Sequence, residues 1–387
     1  MFLIRQAKPQ DVPTLLKLAR MVYFLNLPPE ERLLASKVAQ SQACFKRLAG
    51  VVEPNSNGSR RHSSTGTDGL SALDEEGDFF LFSMEEVSSG GVIGTSQLRA
   101  HQGGPGNPNW SLRIGEKRFH SASLGFGTSH TVVQLHADES GPTEIGGIIL
   151  QPSHRGHPVR PGRLLSFVRF HLIGLHRHLF AERILAEMMG PVTSEGESAF
   201  WDAFGRKFIP VKFPEADRFC QHNRRFISEL LPKEEIYLTL MPLEILNSVG
   251  VVSRETIPAR RMLENMGFRY RGYVDPFDGG PHLDALTDDL PIIRATRTAT
   301  AGRTIAAESC SQSGIVSTLD DMGEFRAIET RFELTPKNIR LPAESAEILG
   351  ITSGMSVGVT PMNAPKKVSP TRRTTKPKAA ARRRSKA

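Results

Sequence analysis

Residues 146–188 constrain the fold more than any other stretch of the chain. Gly146-Gly147-Ile148-Ile149-Leu150 is a short apolar run with strand character, and Ile184–Met188 is a second. Between them, after a loop over 151–161, a long helix starts at about Gly162. Leu164, Leu165, Val168, Leu172, Leu175 and Leu179 recur along it at helical spacing. Strand, loop, helix, strand in this order is a crossover unit. Such a unit joins parallel strands, which predicts an α/β fold.

The segment 258–281, PARRMLENMGFRYRGYVDPFDGGP, reads as a helix followed by a strand. Pro258 suits a first helical turn, and Gly267 can end the helix in the left-handed conformation. Phe268, Tyr270 and Tyr273 continue as a strand, closed by a turn at 277–281. Further strands are expected at Phe2–Arg5, Phe79–Met84, Val92–Leu98, Trp110–Ile114 and Thr131–Leu135, with Asp11 placed to cap a first helix. Residues 201–208 and 263–270 share one pattern of helix end, glycine, then a basic and aromatic strand, which suggests a two-part architecture.

With 39% hydrophobic and 23% charged residues, the 387-residue chain is of the soluble globular class and long enough for two domains. No run of 18 apolar residues is present, so no membrane span is expected, and the N-terminus lacks the apolar core of a signal peptide. Cys44, Cys220 and Cys310 are few and odd in number. That argues against a disulfide framework and suits a reducing cytoplasm. The net charge of +8 belongs to the end of the chain: residues 366–387 carry ten Lys and Arg and no acid, leaving the body at −2. The tail over 363–387 is expected to be disordered, and the polar, Gly/Ser-rich stretch over 53–77 to be a mobile surface loop or insertion.

The turn from Gln151 to Gly162 is the candidate phosphate site. It lies between a strand and a helix start, where unpartnered N–H groups and the helix dipole favour an anion by roughly 0.3–1 kcal/mol. Arg155, Arg160 and Arg163 could add charge-assisted contacts, while Pro158 and Pro161 remove donors. No histidine pair has zincin spacing, so no metal is expected.

As a string, 258–281 resembles the signature of the arginine N-succinyltransferase family. Ala186-Glu187-Met188-Met189-Gly190, Phe200-Trp201, Phe226–Lys233, Gly323-Glu324-Phe325-Arg326 and Leu349-Gly350-Ile351 also follow that family in order and spacing. The resemblance implies two tandem acetyltransferase-like domains, over 1–212 and 213–362, with succinyl-CoA as co-substrate and no metal. It implies transfer of succinyl to the α-amine of arginine or ornithine in the cytoplasm, by a homo- or hetero-oligomer. It places acyl-CoA against Ile148, Ile149 and Leu150 and the turn residues Arg155, Gly156, Gly162 and Arg163. The turn is about two residues longer than the family pattern, and Arg160 stands where a glycine is usual.

The family's proton-donating histidine falls at Ser253 here. Serine cannot titrate near neutral pH, and losing a general acid typically costs about 10²–10⁴ in rate. Glu255, His282 or Tyr273 could have taken over proton transfer, water could carry the proton, or activity could have lapsed. Glu187 could orient the amine, and Asp275, Asp278 and Asp284 could meet a guanidinium. Two other readings stay open: a different N-acyltransferase of the same fold, and a binding relative whose basic tail contacts nucleic acid without sequence preference.

Overall fold

The computed structural model describes residues 1–21, 27, 29–51, 77–193, 195–220, 224–336 and 338–362. The expected loop over 53–77, apart from Gly77, and the basic tail lie outside them. Fifteen strands are described: β1 (Phe2–Gln6), β2 (Phe79–Glu86), β3 (Gly91–Arg99), β4 (Asn109–Ser121), β5 (Phe126–Asp138), β6 (Thr143–Leu150), β7 (Arg183–Glu187), β8 (Ile236–Tyr237), β9 (Arg269–Val274), β10 (Pro281–Leu286), β11 (Arg297–Thr300), β12 (Gln312–Leu319), β13 (Phe325–Leu334), β14 (Ile339–Arg340) and β15 (Ser356–Pro361). They form one sheet in the order β11-β15-β12-β13-β1-β2-β3-β6-β7-β10-β9-β4-β5-β8, with β14 attached to β13. Strands from either side of residue 212 alternate along it: β10 lies against β7, and the β4–β5 hairpin lies beyond β9.

The crossover forms as its pattern predicts. The helix Pro161–Leu175 buries Leu164, Leu165, Val168 and Leu172, and it carries the chain from β6 to the parallel strand β7. Leu179 falls instead in a short 3₁₀ turn, Arg177–Leu179. The helix Ile257–Met266 ends at Gly267, whose φ of 122° is open to glycine. Both helices cover one core, which also takes Ile184, Ala186 and Met188 from the β7 segment and Leu283 and Ala285 from β10. By strand alternation, Glu187 and His282 point away from that core.

Two expectations are corrected. Residues 205–207 form a 3₁₀ turn, not a strand, because Gly205 sits against the Trp201 ring with no room for a side chain. Asp11 precedes the helix Val12–Arg20 but does not cap it through its side chain. Its carboxylate accepts from Arg5 Nη1 and Nη2 at 2.6 and 2.9 Å, from the Lys8 N–H at 2.9 Å and from Ser83 Oγ at 2.9 Å. Burial opposes ionisation, but the Arg5 guanidinium and the other donors hold Asp11 below its ordinary range.

A lowered folded pKa stabilises the protein above the unfolded carboxylate pKa of about 3.9, and that contribution fades as pH falls through the folded value. Asp11→Ala leaves the largely buried Arg5 guanidinium with Glu85 as its remaining carboxylate partner, at 2.8 Å from Nε, and is expected to cost about 2–3 kcal/mol at pH 7. In urea titrations, the gap between wild type and variant should narrow only below about pH 4. A gap unchanged at pH 3 would rule out Asp11 as the source.

Candidate functional site

The site begins with a glycine. β3 and β6 lose register between Thr95 and Gln97, which face Ile149 and Gly146 respectively, so β6 carries one extra residue. Gly147 takes φ +56°, and a Cβ there would lie 2.7 Å from the Gln97 side chain. This bulge lets Ile145 and Ile148, three residues apart, reach the same core, while Ile149 turns into the core beneath the helix Val12–Arg20. The bulge is pinned from above by Arg169, which is 2% exposed. Its guanidinium donates to the Gly146 carbonyl at 3.3 Å and to Ser166 O and Oγ at 3.1 and 2.8 Å. Burial pulls Arg169 down to about 9, so it stays charged at neutral pH.

β6 and β7 are hydrogen-bonded only at Thr143–Ile184 and Glu144–Leu185. Past those two pairs the strands part. On the far side of the gap, Asp278 draws the end of β7 toward β10: its carboxylate accepts from the Gly190 N–H at 2.8 Å and the Gly280 N–H at 2.7 Å. Burial nevertheless pushes Asp278 up to about 6.

Above the gap lies the turn after β6. Arg155 Nε donates to the Leu150 carbonyl at 3.3 Å, and its Nη1 is 3.8 Å from Glu255. Leu150 packs toward the helix start beside Gly162, and Gly156 faces open space at φ +75°. Arg160 is the one non-glycine with positive φ among the described residues, at φ 50°, ψ 58°. Arg163 pairs with Glu329 on β13.

Ser253 closes the other end of the gap. It is buried, its N–H donates to the Met189 carbonyl at 2.9 Å, and its hydroxyl lies 3.0 Å from that of Thr256. Ser253, Glu255 and Arg155 thus share one rim. His282 does not join them; it sits directly across from Glu187 on the opposite face.

That face holds an acidic basin. Glu187, Asp275 and His282 bring their polar atoms within 4.8 Å of one another. Glu187 Oε1 accepts from Asn109 Nδ2 at 2.7 Å, and Asp275 Oδ1 accepts from the N–H groups of Phe277 and Asp278 at 2.7 and 3.0 Å. Burial, then the charges of Asp278 and Glu187, push Asp275 up to about 7. Burial lowers His282, against the pull of Asp275. Asp217, from the helix Phe213–Cys220, is raised to about 7 by burial and by Asp275. It follows Phe213 by four residues and Ala216 by one, so a carboxylate inside the helix's apolar stripe was the signal for it. Asn109 left no such signal. Asp284 is already paired, with Arg271 at 2.6 Å and Arg183 at 3.7 Å, and Tyr273 packs on His136.

The arrangement has relatives. The family described as arginine N-succinyltransferase beta subunit matches residues 60–292. An arginine N-succinyltransferase of Yersinia pestis (strain Pestoides F) is 30% identical, covering 94% of this chain and 99% of that protein. One from Escherichia coli (strain 55989 / EAEC) is 27% identical, covering 95% and 100%. Among solved structures, the arginine/ornithine succinyltransferase subunit AI from Pseudomonas aeruginosa matches with a TM-score of 0.73 at 26% identity, over 93% of this chain and 98% of that one.

Left-handed backbone costs a side-chain-bearing residue about 1–2 kcal/mol. Arg160→Gly should therefore raise the thermal midpoint. A midpoint that falls would show that the side chain is held by contacts worth more than the strain.

Proposed function

This chain belongs to the arginine N-succinyltransferase family and is an acyltransferase, and from that premise we propose that it moves the succinyl group of succinyl-CoA onto the α-amine of arginine. One observation carries the assignment of parts: the parallel strands β6 and β7 separate between an arginine-bearing turn on one side and a carboxylate basin on the other. The donor's phosphates belong at the turn, with Arg155, Gly156 and Gly162 closest to them and Ile148 and Leu150 along the acyl chain. Ile149 and Arg163 are committed elsewhere, to the opposite core and to Glu329. The thioester then lies in the gap, where strand N–H and C=O groups lack ladder partners.

Arginine brings two cations, its ammonium and its guanidinium. Glu187, Asp275 and Asp217 line the face from which it would approach with carboxyl groups, and a cation among them would favour their ionised forms. Transfer requires that the ammonium lose one proton to a base, that nitrogen bond to the thioester carbon, that the C–S bond break, and that the nitrogen give up a second proton while the departing thiolate takes one up. His282 is suited to the first step because burial holds its imidazole neutral and thus basic. Ser253 can pass a proton along its hydrogen bond to Thr256 but cannot supply one at neutral pH. Ornithine, named beside arginine in the Pseudomonas relative, is the second acceptor to consider. That relative is also called a subunit, and assembly into an oligomer is part of this reading. So are a cytoplasmic location, consistent with three free cysteines, and the division near residue 212 into two acetyltransferase-like halves.

Thiol release from succinyl-CoA should be fastest with arginine, and slower with acetyl-CoA or with lysine. His282→Gln should lower kcat by about 10²-fold or more with little change in the KM for succinyl-CoA. Ser253→His should raise the rate or leave it unchanged. No turnover with any pairing of acyl-CoA and amine would end the enzymatic reading.

A further inference from the structure

We infer that Glu187, Asp275 and His282 form a binding site for a first-row divalent cation such as Zn²⁺, in the basin that the proposed reaction gives to the acceptor's ammonium. The three donors come from β7, from the turn after β9 and from β10, and their ligand atoms all lie within 4.8 Å of one another. His282 is 6% exposed, and its Nε2 has no hydrogen-bond partner. That nitrogen is 3.9 Å from Glu187 Oε1, too far for a hydrogen bond and aimed into the cluster. A buried polar atom without a partner is costly, so the site is shaped for something that Nε2 can meet.

One imidazole nitrogen and two carboxylate oxygens are a donor set that zinc takes with a fourth position left open. Metal–ligand bonds of about 2.0–2.2 Å would place neighbouring donors roughly 3.3–3.5 Å apart in a tetrahedron. Donors up to 4.8 Å apart must close by as much as about 1.4 Å to meet one ion, and Glu187, whose side chain is 18% exposed, has room to move. Outer partners that would orient the ligands are already in place. Asn109 Nδ2 holds Glu187, and the Phe277 and Asp278 N–H groups hold Asp275. The surroundings favour a cation as well. The carboxyl groups of Asp217 and Asp278 lie close enough to bear on Asp275 and Glu187, while the guanidinium of Arg224, 3.4 Å from Asn109, and that of Arg183, whose charge bears on His282, oppose a cation in part.

The metal and a substrate ammonium would then exclude one another. This consequence rests on the proposed acceptor position; the metal site itself does not. Protein stripped with a chelator should bind Zn²⁺ at one site per chain by calorimetry, and Co²⁺ should give visible absorption bands of a low-coordinate site. Both signals should disappear in His282→Gln and weaken at least tenfold in Glu187→Gln, each variant being checked for a metal-free thermal midpoint near that of the wild type. Absence of saturable binding, or binding unchanged in both variants, overturns the site. If Zn²⁺ binds and inhibits competitively against arginine but not against succinyl-CoA, the shared basin is supported. If Zn²⁺ binds in a protein that transfers nothing, the metal site stands and the proposed reaction falls.

Discussion

The unmade hydrogen bonds between β6 and β7 organise this molecule. Strands that begin as a ladder at Thr143 and Glu144 leave their facing edges unpaired beyond it, and buried backbone groups tolerate that state only when something else satisfies them. The fold keeps them apart from both sides. On one, the extra residue at Gly147, pinned by Arg169, redirects β6. On the other, Asp278 binds the N–H groups of Gly190 and Gly280 and fastens the exit of β7 to the entry of β10. Two independent clamps thus hold the gap open.

Much of this was legible before any coordinates. The crossover and the helix ending at Gly267 follow from apolar periodicity and from end signals that depend only on neighbouring residues. Elements whose faces are both wet were read short. The pattern at Trp110–Ile114 and Thr131–Leu135 marks only the inner ends of β4 and β5, each of which runs for 13 residues, because the outer part of that hairpin buries little and carries no stripe. The basin was legible one residue at a time. Glu187, Asp275 and His282 can each be suspected from chemistry, but their meeting depends on the register that sets His282 against Glu187, and no local rule fixes register across 94 intervening positions. Spacing rules for metal motifs miss such a cluster for the same reason.

The turn above the gap shows a compromise between binding and backbone ease. Arg160 holds a conformation that glycine would adopt without cost, two residues before Gly162, and Arg163 has exchanged any role at the turn for a partner on β13. The positive charge that remains is concentrated in Arg155 and Arg160, with Glu255 already facing the former. The rim of the turn is thus partly neutralised.

The central position of β1 has a consequence for how the chain is made. β1 is paired on one side with β2 and on the other with β13, so that Leu3 lies opposite both Glu85 and Ile328. β1 leaves the ribosome long before β13 and must wait, with one edge bare, until the more than 300 residues between them have been synthesised. At about 5–20 residues per second, that interval lasts tens of seconds. Throughout it, the apolar Phe2, Leu3 and Ile4 need shelter from neighbouring chains.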